Sequence, residues 1–236
     1  MALGWDDAAV PDLRLADLPA VAESALPAGL LERLPATTPP PPWHCRVRAT
    51  VWVQRTPSPL PPGAPFADRA RGVTVGALVE YLDSPVGRYS EIFAGPLLRG
   101  AVRPVMHVPF IAVDSVPSVH GGRAHWSLPK TLARFDGDVH GRSDVHGDGW
   151  SVVVRAAPLP VPVPVVGTLV GAQVAGVARA VLRGRGRAAR VRVDAAGPTL
   201  SGWLGAGTHA GVVGTGRMVV HAARPAQPPA PAPWRA

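Results

Sequence analysis

Gly122-Arg123-Ala124-His125-Trp126-Ser127-Leu128-Pro129-Lys130-Thr131-Leu132-Ala133-Arg134-Phe135 holds the only lysine among the 24 lysines and arginines of this 236-residue chain. Arginine keeps its proton in any protein setting, whereas a lysine amine can lose its proton and attack a carbonyl carbon. The exchange of one for the other is harmless on a surface and fatal at a Schiff-base site. A composition dominated by Arg, Ala, Pro, Gly and Val offers a second reading, in which Lys130 is a surface remnant of a bias against lysine. Its neighbours bear on the choice. Trp126, Leu128, Leu132 and Phe135 put apolar bulk on both sides, and an ammonium buried there without a partner relieves the cost by deprotonating. Pro129 fixes its own φ and turns Leu128 towards extended geometry, so the amine is expected just beyond a strand end or on a rigid turn.

Thirty-nine positions upstream stands Tyr89-Ser90-Glu91, ahead of the apolar Ile92-Phe93-Ala94. Glu91 reads either as a pocket carboxyl able to act as an acid or as a solvated surface group. Tyr89-Ser90-Glu91, then Val113-Asp114 with Pro117, then Gly122-Arg123 and Pro129-Lys130, resemble in kind and order the signature of the acetoacetate decarboxylase family over about residues 73–135.

The resemblance implies an antiparallel sheet closing into a barrel-like core with few helices. It also implies Lys130 as imine-forming nucleophile, Glu91 as its acid/base partner, and Arg123, Tyr89, Leu128 and Trp126 as groups around the substrate. It implies no cofactor and no metal, a small keto acid as substrate, and assembly into homo-oligomers. Decarboxylation of a β-keto acid is the first expectation. Aldolase or dehydratase chemistry on a 2-oxo acid with the same lysine is the second, and a non-catalytic pocket for a small carbonyl compound the third. Two departures from the family pattern stand out. Thr131 replaces a second lysine directly after the nucleophile, and Gly76 falls where another acidic residue aligns.

Arg46-Val47-Arg48-Ala49-Thr50-Val51-Trp52-Val53 alternates as a strand, with Arg46 and Arg48 on one face, open either to solvent or to a substrate carboxylate. Twenty-nine prolines and 26 glycines argue for many short strands and turns, a β-rich α+β fold. Candidate strands are 45–55, 73–82, 89–95, 105–114, 150–156, 190–194 and 217–222. Residues 158–166 read as an extended edge, and 168–182 as a buried strand or short helix.

The expected organisation is an arm and Pro-rich linker at 1–42, one domain at 43–221, and a disordered Pro/Ala tail at 222–236. Within the arm, 13–34 suits a short amphipathic helix docked on the body. The acidic Asp6-Asp7 and the lack of an apolar run after them argue against a secretory signal, so the cytoplasm is expected. Prolines interrupt the uncharged run 156–178, which argues against a membrane span. The net charge of +8 and the run Arg183–Arg192 lack interleaved aromatics, so the run reads as a basic turn and no nucleic-acid partner is expected. Residues 136–148 read as a polar hairpin in place of a metal site.

Overall fold

The computed structural model describes residues 14–61, 64–99, 104–174 and 176–224. Its centre is one ten-stranded sheet in the order β5-β4-β3-β2-β1-β10-β9-β8-β7-β6. The strands are β1 (Trp43–Arg55), β2 (Ala70–Asp83), β3 (Tyr89–Leu98), β4 (Phe110–Val113), β5 (Thr131–Leu132), β6 (Arg134–Gly137), β7 (Arg142–Gly147), β8 (Trp150–Gln173), β9 (Gly176–Ala196) and β10 (Gly207–Val220). All neighbours are antiparallel except β4 and β5, which the connection containing Lys130 joins in parallel. Three helices accompany the sheet: α1 (Leu30–Arg33), α2 (Val116–Trp126) and α3 (Leu200–Trp203). The architecture is therefore the β-rich, barrel-like α+β fold expected.

Both faces of the sheet are buried, around different cores. Trp52, Leu78, Ile92 and Phe110 pack on one face with Val152, Val191 and Trp203. Cys45, Val47, Val79, Tyr81 and Tyr89 pack on the other with Val119 and Trp126 of α2. The β8–β9 hairpin reaches both cores by strand alternation, Ala189, Val191 and Val193 of β9 facing one and Ala178, Ala180 and Leu182 the other. Met106 pairs with Leu97 of β3 and with Gly171 of β8, linking strands that stand third from either edge of the sheet.

Several local expectations change. Helix α2 fills a stretch for which no element was expected, capped by Ser115, whose side chain accepts from Ser118 N–H, with a proline in its first turn. The described strand residues of segment 168–182 belong to the end of β8 and the start of β9, with no helix among the segment's described residues. The run Arg183–Arg192 lies inside β9 and is not a turn. Residues 158–166 form β8 where β7 no longer covers it, as an edge should. The expected arm helix is replaced by a 3₁₀ turn at Ala22–Ser24 and the single turn α1. Those pieces dock firmly: Val21 and Leu30 are buried, and the Glu23 carboxylate accepts from Thr199 and Leu200 N–H at the start of α3. The expected tail lies outside the described residues from Pro225 onward. Among the described residues no helix is long and apolar enough to cross a membrane.

Candidate active site

The route to Lys130 begins at the end of α2. Ser127 takes φ +51°, its N–H donating to Arg123 O, while Leu128 N–H donates to Gly122 O. Lys130 N–H then reaches back 2.7 Å to Leu128 O, a γ-turn across Pro129. The amine thus stands on a rigid turn that leads into β5.

Lys130 is buried, and its Nζ donates to Glu91 Oε2 at 2.5 Å and Ser118 Oγ at 3.0 Å. Glu91, on β3, accepts through its other oxygen from Tyr81 OH at 3.0 Å. The Tyr81 and Tyr89 rings stack 4.1 Å apart, and the ammonium lies 5.3 Å from the Tyr89 ring centroid. Burial first, and the Glu91 charge second, hold both phenols well above their ordinary pKa. Tyr81 is therefore a hydrogen-bond donor to the carboxylate at any physiological pH. The same causes push the nearby Cys45 thiol up to about 12, so it stays a thiol. The buried amine and the carboxyl expected as its partner stand in direct contact as an ion pair.

Gly122 explains itself by contact. A Cβ built there would lie 2.4 Å from Lys130 Cδ, so the helix can pass the lysine stem only where a side chain is missing. Gly122→Ala is expected to displace the amine from Glu91 and lower its reactivity towards carbonyl compounds by at least ~10-fold, a 1 Å misplacement being worth up to 10². Borohydride labelling rates read it, and wild-type labelling by the variant would show that the stem has other room.

Arg123 corrects an expectation. Its Nε donates to Lys130 O at 2.7 Å, Nη1 to Leu15 O at 2.6 Å and Nη2 to Ser24 O at 3.1 Å. Burial lowers its pKa to about 10, and all three nitrogens serve backbone carbonyls, apart from the residues that line the adjoining cavity. Arg123 holds the lysine's backbone and ties the arm to it. Arg46 and Arg48 lie across the sheet from the lysine, on the face that also carries Thr50 and Trp52. Arg46 approaches Asp83, and Arg48 bridges Glu80 and Asp138. Arg134 is exposed beside Asp136. Tyr89 underlies the amine, while Leu128 and Trp126 reach the wall of the adjoining cavity.

Register also relocates the missing acid. Val79 pairs with Glu91, so Ala77, Val79 and Tyr81 share its face and Gly76 points to the other. There a Cβ would lie 2.2 Å from the Trp52 indole, which makes position 76 a packing site for Trp52. Thr131, the neutral neighbour of the lysine, is buried and donates to Ala25 O, fastening the arm.

The cavity beside this pair measures about 120 Å³ and is partly open to solvent. Glu91 forms its wall in front of the lysine, with Phe93, Met106, Ile111, Leu128 and Met218 around it. Tyr81, Ser118 and the cavity-lining Gln173 escaped the sequence reading. The Ser115 cap followed by Pro117 could have announced α2 and put Ser118 and Gly122 one turn apart on one face. Nothing local could have brought Gln173 from β8 to this site.

No protein-family model matches the sequence, and no curated protein matches it. Solved structures do match its fold. Acetoacetate decarboxylase from Legionella pneumophila superposes with a TM-score of 0.57 at 16% identity, covering 89% of this chain and 97% of that one. The enduracididine biosynthesis enzyme MppR complexed with pyruvate gives 0.52 at 15%, covering 83% and 94%. An acetoacetate decarboxylase-like enzyme from Sphingomonas wittichii RW1 gives 0.53 at 15%, covering 78% and 92%. The chain has the acetoacetate decarboxylase-like fold.

Proposed function

We propose that this chain, which has the acetoacetate decarboxylase-like fold, is a Schiff-base-forming lyase that decarboxylates a small β-keto acid. The observation that carries the reading is the chain's single lysine, buried with its amine 2.5 Å from a buried carboxylate at the wall of an apolar cavity. Glu91 takes the proton from the Lys130 ammonium, and the freed electron pair adds to the ketone carbon. Glu91 hands that proton to the carbinolamine oxygen, which leaves as water, and a protonated imine remains. The bond to the carboxylate carbon then breaks, its electrons pass to the imine nitrogen, and carbon dioxide departs. Glu91 takes up a fresh proton from solvent and delivers it to the enamine carbon, and water releases the ketone and the lysine ammonium. Tyr81 and Ser118 keep the carboxylate and amine aligned through this exchange.

The fold neighbours include an enzyme crystallised with pyruvate, so a 2-oxo acid in place of a β-keto acid is the second reading. Borohydride trapping with acetoacetate and with pyruvate, read by intact mass and peptide mapping, tests both. An adduct on Lys130 with acetoacetate accompanied by release of carbon dioxide supports decarboxylation. A stable adduct with pyruvate alone moves the assignment to aldol or dehydration chemistry, and no adduct with any carbonyl compound leaves a non-catalytic pocket.

Glu91→Gln removes the proton acceptor while retaining the side chain's shape. Turnover is expected to fall by about 10² to 10⁴, the usual contribution of a positioned acid or base. Steady-state release of carbon dioxide checks it, and an unchanged rate would transfer the proton work to another group.

A further inference from the structure

The sheet face turned away from Lys130 carries a block of arginines that nearby acids pair only in part. Strand register lines them up. Arg46 of β1, Arg217 of β10 and Arg183 of β9 stand directly opposite one another, and the next row on that face holds Arg48, Thr215 and Arg185. A third row sets Arg187 beside Val213 and Thr50. Like charges facing each other across strands repel, so the arrangement is unfavourable until something negative meets it. Glu80 and Asp138 take Arg48, and Asp83 lies 3.9 Å from Arg46. Among the described residues, Arg183, Arg185, Arg187 and Arg217 enter no ion pair, and all are exposed.

The surroundings of the block say what kind of anion fits it. Val166 stands in the row of Arg183, Arg217 and Arg46 and is 75% exposed. Leu159 and Val161 continue an exposed apolar line along β8. Arginines bordered by apolar side chains suit a headgroup layer that overlies acyl chains. The open edge, by contrast, does not suit a partner strand. Pairing with β7 ends at Arg155, and Pro162 and Pro164 keep their places beside Arg187 and Arg185 only with their nitrogens, which carry no hydrogen, turned outward. Nor does any tyrosine, phenylalanine or tryptophan stand in these rows to stack a nucleic-acid base.

We propose that this face docks the protein on a membrane surface rich in anionic phospholipid, with the arginine rows on the headgroup phosphates and Val166 at the edge of the acyl layer. The inference is independent of the imine chemistry at Lys130.

The test is co-sedimentation of the full chain with vesicles of phosphatidylcholine alone and of phosphatidylcholine mixed with phosphatidylserine, at low and at high salt. Wild type is expected to bind only the mixed vesicles and to be released as salt rises. A basic residue at such a surface is worth about fivefold in affinity, so Arg183→Gln/Arg185→Gln/Arg217→Gln should bind about 100-fold more weakly. Arg14→Gln/Arg33→Gln/Arg190→Gln removes as much charge from other parts of the surface and is expected to keep most of the affinity. Absence of wild-type binding to the mixed vesicles overturns the proposal, whatever the variants do. Equal losses in the two folded variants also overturn it, since net charge and not this face would then be at work. Tighter binding to a single-stranded RNA than to the vesicles, lost in the first variant, would reassign the face to nucleic acid.

Discussion

Lys130→Arg is expected to abolish borohydride-trapped adducts and to lower turnover by about 10³ or more, since the imine cannot form on a guanidinium. The substitution keeps the positive charge opposite Glu91 and so avoids stranding a buried carboxylate, the main hazard of replacing this lysine with an apolar residue. Its cost lies in volume. The stem runs against Gly122, and fitting a larger head into that space is expected to cost about 1–3 kcal/mol, as other overpacked sites do. Thermal unfolding separates this loss from the chemical one: a folded variant with no adduct assigns the chemistry to the amine. Because Lys130 is the only lysine, an adduct that persists in the variant could come only from the terminal amine, and peptide mapping would show it.

The pairing of Lys130 with Glu91 was legible because its signal is concentrated in few residues. One lysine, one Pro-Lys turn and one Tyr-x-Glu strand carry the signal, and the fold brings them together by ordinary register: Glu91 pairs with Val113 at the end of β4, directly before α2. The surrounding shell was less legible. Helix α2 has no apolar stripe, since His120, Gly121, Gly122 and His125 interrupt its faces, and tertiary packing decides its conformation. The alternation of Arg46 and Arg48 was read correctly, but not the face to which it belongs. Their strand is buried on both sides, with Trp52 in one core and Val47 in the other, so alternation alone cannot say which face meets the site. Arg123 misled for a different reason. Two of its three partners are the carbonyls of Leu15 and Ser24, about a hundred positions away, and no local pattern announces a contact of that range.

Arg123→Met is expected to be the most destabilising change at the site, lowering the unfolding free energy by about 3 kcal/mol or more. The reasoning is a count of orphaned groups. Arg123 is nearly inaccessible, at 3% exposure, and its donors serve Lys130 O, Leu15 O and Ser24 O. Methionine fills a similar volume but donates to none of them, and each buried acceptor left unpaired costs about 1–3 kcal/mol. Water entering the gap would lessen the total, which is why the expectation sits at the low end of that sum. The loss is also directional. One contact holds the turn that carries the amine and the other two hold the arm that covers it, so the variant should loosen both together. Denaturant unfolding measures the energy, and amide exchange at Ser24–Ala25 and Thr131–Leu132 should rise in the same variant. Arg123→Lys can restore one of the three contacts and is expected to recover only part of the stability. Full recovery by lysine would mean that charge, and not the three-way fork of the guanidinium, is what position 123 supplies.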